Sequence, residues 1–271
     1  MYYVIQENLF REYGFKALID HLERLIWTQE HHADANDEKV GYEIVKYIPF
    51  SEQLEVKTDR KDVFFFGSTN AGMVAKKKYD WVPGHFINEN FTMEKYLPAF
   101  GEHMLNSDGK IVKVENTFKW MEEEPEMTGY LEFFCRPVDD GKAFTGQVFT
   151  GPRWKDYAKD NMEIQNLKIL IAKPKTTQQE IRCWMIDGEP VTISQYKIGS
   201  RGNYLNMDHN DEAIIFARKM AKIFQPARAF CLDICLYDDE YYIVELGCIN
   251  HCGFYDANMG KLIDALEKMK F

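Results

Sequence analysis

The sequence predicts a small α/β lobe followed by a larger, strand-rich α+β unit, and three observations carry that prediction. Strand-like and helix-like stretches alternate over the N-terminal third, the pattern of an α/β layer. From Lys110 onward strands dominate. The chain has 271 residues, of which 45% are hydrophobic and 28% charged, so it can bury a full core and is too apolar for disorder. That length fits one large domain or two tightly joined lobes.

Met1 to Gln6 reads as a strand. Leu9, Phe10, Phe15, Leu18, Ile19, Leu22, Leu25 and Ile26 recur at helical spacing, so an amphipathic helix is expected from Leu9 to Trp27, with Asn8 as N-cap. A polar stretch, His31 to Lys39, leads into a second strand, YEIVKYIP. DVFFFGS, Asp62 to Ser68, suits a buried parallel strand whose C-terminal end opens onto a crevice, with a short helix after it. Around Ser107-Asp108-Gly109 the character changes. The strands KIVKVEN, GYLEFFCRP, AFTGQVFT, NLKILIA, QEIRCWMIDG and EPVTISQYKIG follow, interrupted by a helix from Trp154 to Gln165. A helix from Asp211 to Phe224 places Ile214, Ile215, Ala217, Met220, Ala221 and Phe224 on one side. AFCLDICLYD and EYYIVELG form a hairpin across Asp239-Glu240, and a helix closes the chain. The sequence has no internal repeat and no low-complexity segment.

Thirty-three Lys+Arg against forty-three Asp+Glu give a formal charge of −10. That balance argues against a surface that neutralises many phosphates at once, although a local basic pocket stays open. No apolar run approaches the roughly 18 residues of a membrane span, and MYYVIQENLFREYGFK lacks a secretory pattern. A soluble, cytoplasmic protein is expected. The cysteines at 135, 183, 231, 235, 248 and 252 are read as reduced. Cys231/Cys235 and Cys248/Cys252, with His251 beside the second pair, have a spacing that would suit zinc. Three of them sit in apolar runs where Cys behaves as a small hydrophobe, and that plainer reading is preferred.

The chemistry concentrates at strand ends. Asp233 interrupts an apolar strand, and Glu245 ends the next one just before Gly247 and Asn250. Carboxylates in a buried strand are costly unless paired or bound to a cation. The hairpin alone leaves two readings open: oxygen ligands for Mg²⁺, or an ordinary salt-bridged or edge-exposed pair. Glu180 and Arg182 lie two apart on a strand and share a face. Lys197 lies on the next strand, Arg201 in the Gly-containing turn SQYKIGSRGN, and Arg136 and Lys142 in FFCRPVDDGKAFTG. Basic groups at several strand ends beside an acidic pair are what a polyphosphate with Mg²⁺ needs.

The blocks FFCRPVDDGKAFTG, QQEIRCWMIDGEPVTISQYKIGS and FCLDICLYDDEYYIVELGCINHCGFYDAN, in that order, resemble the ATP-grasp superfamily. Within it they are most similar to a branch of ATP-dependent ligases found in bacteria and their phages. The resemblance covers residues 107 to 265. It implies an ATP-grasp fold, two α+β lobes clasping ATP, in residues 107–271 (small lobe 107–173, C-terminal lobe with the metal-binding hairpin 174–271), preceded by an α/β lobe in residues 1–106. It further implies that Arg136, standing where many members have Lys, or nearby Lys142, contacts nucleotide phosphate. Ile171 and Ala172 fall in the hinge strand, Ile169 to Ala172, whose backbone reads adenine. Glu180 falls near the ribose, Arg182 faces phosphate or the acyl phosphate, and Lys197 lies over the transferred phosphoryl group. Asp233 and Glu245 would bind magnesium. The usual Glu-x-Asn motif departs here, because Gly247 stands where Asn is expected, and Asn250 is the nearest amide.

The implied activity is an ATP- and Mg²⁺-dependent ligase that joins a carboxylate to an amine, each from a small molecule or a peptide, with neither a membrane nor nucleic acid as partner. No Ser or Cys sits in a nucleophile–base setting, so no covalent enzyme intermediate is expected. A phosphotransferase acting on a hydroxyl would use the same residues. A non-catalytic nucleotide-binding module is the reading that Gly247 motivates. Phe254 and Tyr255 are expected to wall the site, and Trp154 or Tyr157 to line a loop beside it. Gly67, Ser68 and Thr69 either touch substrate or form an ordinary strand-to-helix turn, the second being preferred.

Overall fold

The computed structural model describes residues 1–32, 39–49, 51–117, 119, 132–139, 141 and 143–271. The chain opens with β1 (Tyr2–Gln6), which pairs in parallel with β2 (Gly41–Val45) on one side. Strands β3 (Tyr47–Ile48) and β4 (Gln53–Leu54) form a short antiparallel ribbon. On the other side of β1, β5 (Val63–Phe66) completes a three-stranded sheet of order β2-β1-β5. All four residues of β5 are buried, as an apolar run covered on both faces requires. The predicted first helix is broken. A 3₁₀ turn covers Glu7–Arg11, Glu12 is extended, and α1 runs only from Phe15 to His32. At the break, a Cβ on Gly14 would come 2.9 Å from Phe254 Cβ, so the chain passes too close to that loop for a side chain. Helix α2 (Thr69–Lys78) is capped by Ser68, whose Oγ accepts from the Ala71 amide. Ser68 also donates from N and Oγ to Gln6 Oε1, so residues 67–69 form the ordinary turn.

Helix α3 (Met93–Phe100) has no counterpart among the predicted elements. Its interior Pro98 speaks against a helix, yet Met93, Tyr96 and Phe100 are buried at helical spacing. The small lobe is a four-stranded antiparallel sheet built from β6 (Lys110–Lys113), β7 (Glu132–Pro137), β8 (Gln147–Thr150) and β9 (Lys168–Ala172), in the order β6-β9-β7-β8. Helix α4 (Gly151–Asp160) starts earlier than predicted, with Pro152 in its first turn, where a missing N–H costs nothing. Trp154 is fully buried in this lobe's core and donates from Nε1 to Thr117 Oγ1 at 2.9 Å. It is packing, not a wall of the site.

The large sheet is antiparallel and contains β10 (Gln179–Ile186), β11 (Glu189–Ile198), β12 (Arg201–Asn206), β13 (Ala229–Tyr237) and β14 (Glu240–Gly247), in the order β12-β11-β10-β13-β14. Arg201, expected in a turn, begins edge strand β12, and Gly199 at φ +53° makes the tight connection. Helix α5 (Asp211–Ile223) follows β12, and α6 (Met259–Glu267) closes the chain. None of the described helices is long and apolar enough to cross a membrane.

Alternation along β10 divides the large sheet's work. Ile181, Cys183 and Met185 face a core shared with α3 and α5. On the opposite face Trp184 and Ile186 pack with Tyr3, Phe64 and Phe66 of the first sheet and with Leu262 of α6. Each fully buried large apolar side chain contributes about 1.5–3 kcal/mol, so the first lobe is held by a core it shares with the large sheet. That face is apolar only where the first lobe covers it. Beyond the covered part, the same alternation presents Glu180 and Arg182.

Asn250 fastens the junction. It is 1% exposed, donates from Nδ2 to the Phe65 and Gly84 carbonyls at 2.6 and 3.0 Å, and accepts at Oδ1 from the Phe86 amide at 2.8 Å. This use differs from the expected third metal ligand, because both ends of the amide are spent on first-lobe backbone. A Cβ on Gly247 would lie 2.8 Å from Cys252 Sγ, which explains sterically why no asparagine stands there. Asn250→Ala removes three bonds to buried backbone and is expected to lower stability by about 2–4 kcal/mol in chemical denaturation. A loss under about 0.5 kcal/mol would contradict the clamp.

Candidate active site

Antiparallel register assembles the site across four strands. Ser194, Arg182, Asp233 and Glu245 lie in one row over β11, β10, β13 and β14, and Glu180 sits opposite Lys197. The predicted charges pair with one another. Arg182 donates from Nε and Nη2 to the two Asp233 oxygens, both at 2.8 Å, with the residues only 6% and 2% exposed. Lys197 donates to Glu180 Oε1 at 2.6 Å, and the same oxygen accepts from Thr177 Oγ1 at 2.9 Å. Arg136, at the end of β7, reaches from the small lobe to Glu245.

These pairings revise several expected roles. Arg182 is enclosed against Asp233, not directed at phosphate. Burial disfavours its charge, but the adjacent Asp233 carboxylate more than offsets this and holds the guanidinium above its ordinary range. Asp233 in turn is committed to Arg182 through both oxygens, and Glu245 is the carboxylate that faces open space. Ile171 and Ala172 are tied into the small sheet by register with β7, and Ile171 also pairs with β6. Neither lines the cleft. Lys175 and Thr177, just beyond them, do. Lys142 lies outside the described residues.

Two cavities meet at the Arg136–Glu245 pair. The first, about 470 Å³, lies between the small lobe and the large sheet and is lined by Phe134, Val148, Lys175, Glu180, Lys197 and Glu245 among others. The second, about 450 Å³, opens towards the first lobe and includes Glu12, Tyr204 and Tyr255. Arg136, Thr145, Gly146 and Glu245 line both. Asn106, Thr145 and Glu12 went unnoticed in the sequence because single polar residues in loops carry no periodicity. Tyr255 is a wall as expected, whereas Phe254 is 1% exposed and belongs to the core. Arg182 stands 4.9 Å from the Tyr255 ring centroid and 5.7 Å from that of Tyr196. Burial pushes the Tyr255 hydroxyl up to about 12, so it stays protonated.

His85, Cys248 and His251 form a buried group whose ligand atoms lie within 4.8 Å of one another. His85 Nδ1 accepts from the Ile87 amide at 3.2 Å, so in the neutral ring Nε2 carries the proton and has no lone pair for a metal. Burial and nearby Lys76 lower the His85 pKa to about 4, which keeps that neutral form. The preference for cysteines as small hydrophobes agrees with all six being buried and free.

An ATP-grasp domain family, the third family of its clade, matches residues 54–266. No curated protein matches the sequence. Among solved structures, the chain is similar to D-cycloserine synthetase DcsG, with 10% identity, 99% of each chain covered and a TM-score of 0.62. It is also similar to a RimK domain protein ATP-grasp from Sphaerobacter thermophilus DSM 20745, with 10% identity, 98% and 100% covered and a TM-score of 0.63. D-alanine–D-alanine ligase from Bacillus anthracis gives 13% identity, 98% and 96% covered and a TM-score of 0.53. At these identities the likeness concerns the fold.

Two outcomes follow from the charges. Asp233→Asn leaves the Arg182 guanidinium buried and half-paired, so it is expected to cost about 3–5 kcal/mol of stability. Glu245→Gln, at the cavity wall, should cost under about 1 kcal/mol; denaturation showing the reverse order would refute this division. For His85, the folded pKa lies below the unfolded one, so the protein gains stability above the unfolded value and loses it as pH falls towards about 4. The full effect is about 3 kcal/mol. His85→Gln should flatten the slope of unfolding free energy against pH between the two values, and an unchanged slope would exclude His85 as its source.

Proposed function

The chain belongs to the ATP-grasp domain family matched above, and from that premise we propose that it is an ATP- and Mg²⁺-dependent ligase joining a carboxylate to an amine. The observation that carries the proposal is the meeting of two cavities at Arg136 and Glu245. One has the size and the charged lining to take a nucleotide, and the other offers a separate chamber at the point where its terminal phosphate would lie.

In this reading Phe134 and Val148 supply apolar contact to the base, and the chain from Ala172 to Thr177 reads its edge. Glu180 approaches the ribose. Lys197 and Arg136 exchange carboxylate partners for phosphate oxygens, so their ion pairs keep them extended before nucleotide arrives. Lys142 keeps its expected place as the alternative to Arg136. Glu245 would hold Mg²⁺, with Asp233 beside it across the hairpin. Each Asp233 oxygen has accepted one N–H and retains a second lone pair, so the donor set fits. The metal would neutralise phosphate charge when bound. Arg182 acts through Asp233 and is a positioning residue.

The substrate carboxylate oxygen attacks the γ-phosphorus, and the bond to ADP breaks with its electron pair on ADP. An amine nitrogen then attacks the acyl carbon, phosphate departs with the C–O pair, and the amine proton passes to phosphate or solvent. No protein nucleophile is required. The same chain would serve a hydroxyl acceptor, and the experiment below separates the two.

Purified protein incubated with ATP, Mg²⁺ and a metabolite extract is expected to release ADP and yield a product whose mass equals the sum of an acid and an amine less water. Amine-independent ADP release with a phosphorylated hydroxyl would assign a phosphotransferase. ATP binding with no turnover would assign a non-catalytic module. Glu245→Gln should lower Mg²⁺-dependent turnover by at least about 10²-fold in a folded protein, and retained turnover would remove Glu245 from the metal site.

A further inference from the structure

The chamber beside the nucleotide cleft has an unbalanced wall. Its two arginines are already answered: Arg182 by both oxygens of Asp233, and Arg136 by Glu245. Two carboxylates are not. Glu12, from the first lobe, accepts only the Phe254 amide, at 3.3 Å through Oε2. Asp139, from the small lobe, accepts only the Gly141 amide, at 3.0 Å. Neither has an ion-pair partner among the described residues, and both line the chamber. The remaining wall is aromatic. Tyr204, half exposed, lies 5.2 Å from Tyr255 between ring centroids, and Tyr13 packs edge-on against Tyr204 at 6.0 Å. Aromatic faces attract cations, and a carboxylate beside them attracts the same ligand.

We infer that this chamber selects a doubly cationic amine, a diamine or guanidino-amine, whose charged end sits between Glu12 and Tyr204 while the attacking nitrogen points towards Glu245. The inference deepens the ligase reading and rests on it. A volume of about 450 Å³ admits a small molecule of this kind or the side chain of a basic residue. A zwitterionic amino acid is disfavoured, because its carboxylate would meet Glu12 and Asp139 while both arginines are engaged. The selecting residue comes from the first lobe, at the extended break between the 3₁₀ turn and α1, which gives that break a use beyond steric relief at Gly14.

Equilibrium binding of agmatine, n-butylamine and glycine to the full chain, at low and at high salt, tests this. Agmatine is expected to bind at least about 10-fold more tightly than either of the others, with the advantage shrinking as salt rises. Glu12→Gln keeps an acceptor for the Phe254 amide, so it should fold, yet it should abolish most of that advantage. Tyr204→Leu, on an exposed edge strand, should reduce it severalfold. Equal binding of the three probes, tighter binding of glycine, no agmatine binding, or an unchanged preference in Glu12→Gln would each overturn the inference. ATP affinity of the same proteins is measured in parallel. Lost nucleotide binding in the unaltered protein strikes the ligase reading, whereas intact nucleotide binding without an agmatine preference strikes only this one.

Discussion

A buried guanidinium–carboxylate pair in the centre of the large sheet sets the terms for everything around it. Arg182 and Asp233 face one another on neighbouring strands, nearly sealed from solvent, where an unpaired charge would be costly. The two oxygens take two guanidinium N–H groups, and a third, on Nη1, donates to the Gly253 carbonyl at 3.2 Å. That last bond ties the sheet to the loop carrying Tyr255, which stacks beneath the same guanidinium. The Phe254 amide of this loop is in turn held by Glu12 of the first lobe. One ion pair therefore connects the sheet, the chamber wall and the docking of the N-terminal lobe.

The same face of the sheet is divided by what covers it. Where the first lobe lies over it, alternate residues are Trp184, Ile186 and Cys231. Where nothing lies over it, they are Glu180, Arg182, Asp233 and Glu245. The charges are matched one to one with partners on neighbouring strands or on the small lobe. Such matching keeps long side chains ordered beside a cavity, and a polyphosphate with its metal enters by exchanging partners instead of by creating a new charge balance.

Much of this was legible from local pattern. Strands with a clear apolar run, such as Val63–Phe66 and Lys168–Ala172, and the helix from Asp211 follow from periodicity. Helix α3 was hidden by Pro98, since a local propensity penalty was outweighed by burial of Met93, Tyr96 and Phe100. Edge strand β12 was hidden by its exposed, Gly-containing sequence. The early part of α1 was overpredicted because the close approach of Gly14 to Phe254 comes from residues far apart in the chain.

By itself the sequence determined which chemical groups share a face: period-two alternation puts Glu180 with Arg182, and the apolar strand around Asp233 requires that carboxylate to have a partner. Ordered motifs likewise carried the family. Which partner each group takes was decided only by the tertiary structure. Arg182 goes to Asp233, Arg136 crosses from another lobe to Glu245, and Asn250 is drawn away to the backbone at Phe65 and Gly84. Glu12 reaches the chamber from a segment far away in sequence. The reason is physical: alternation is a property of consecutive backbone units, whereas ion pairing in a buried site depends on interstrand register and on the docking of lobes, which no local window of residues contains.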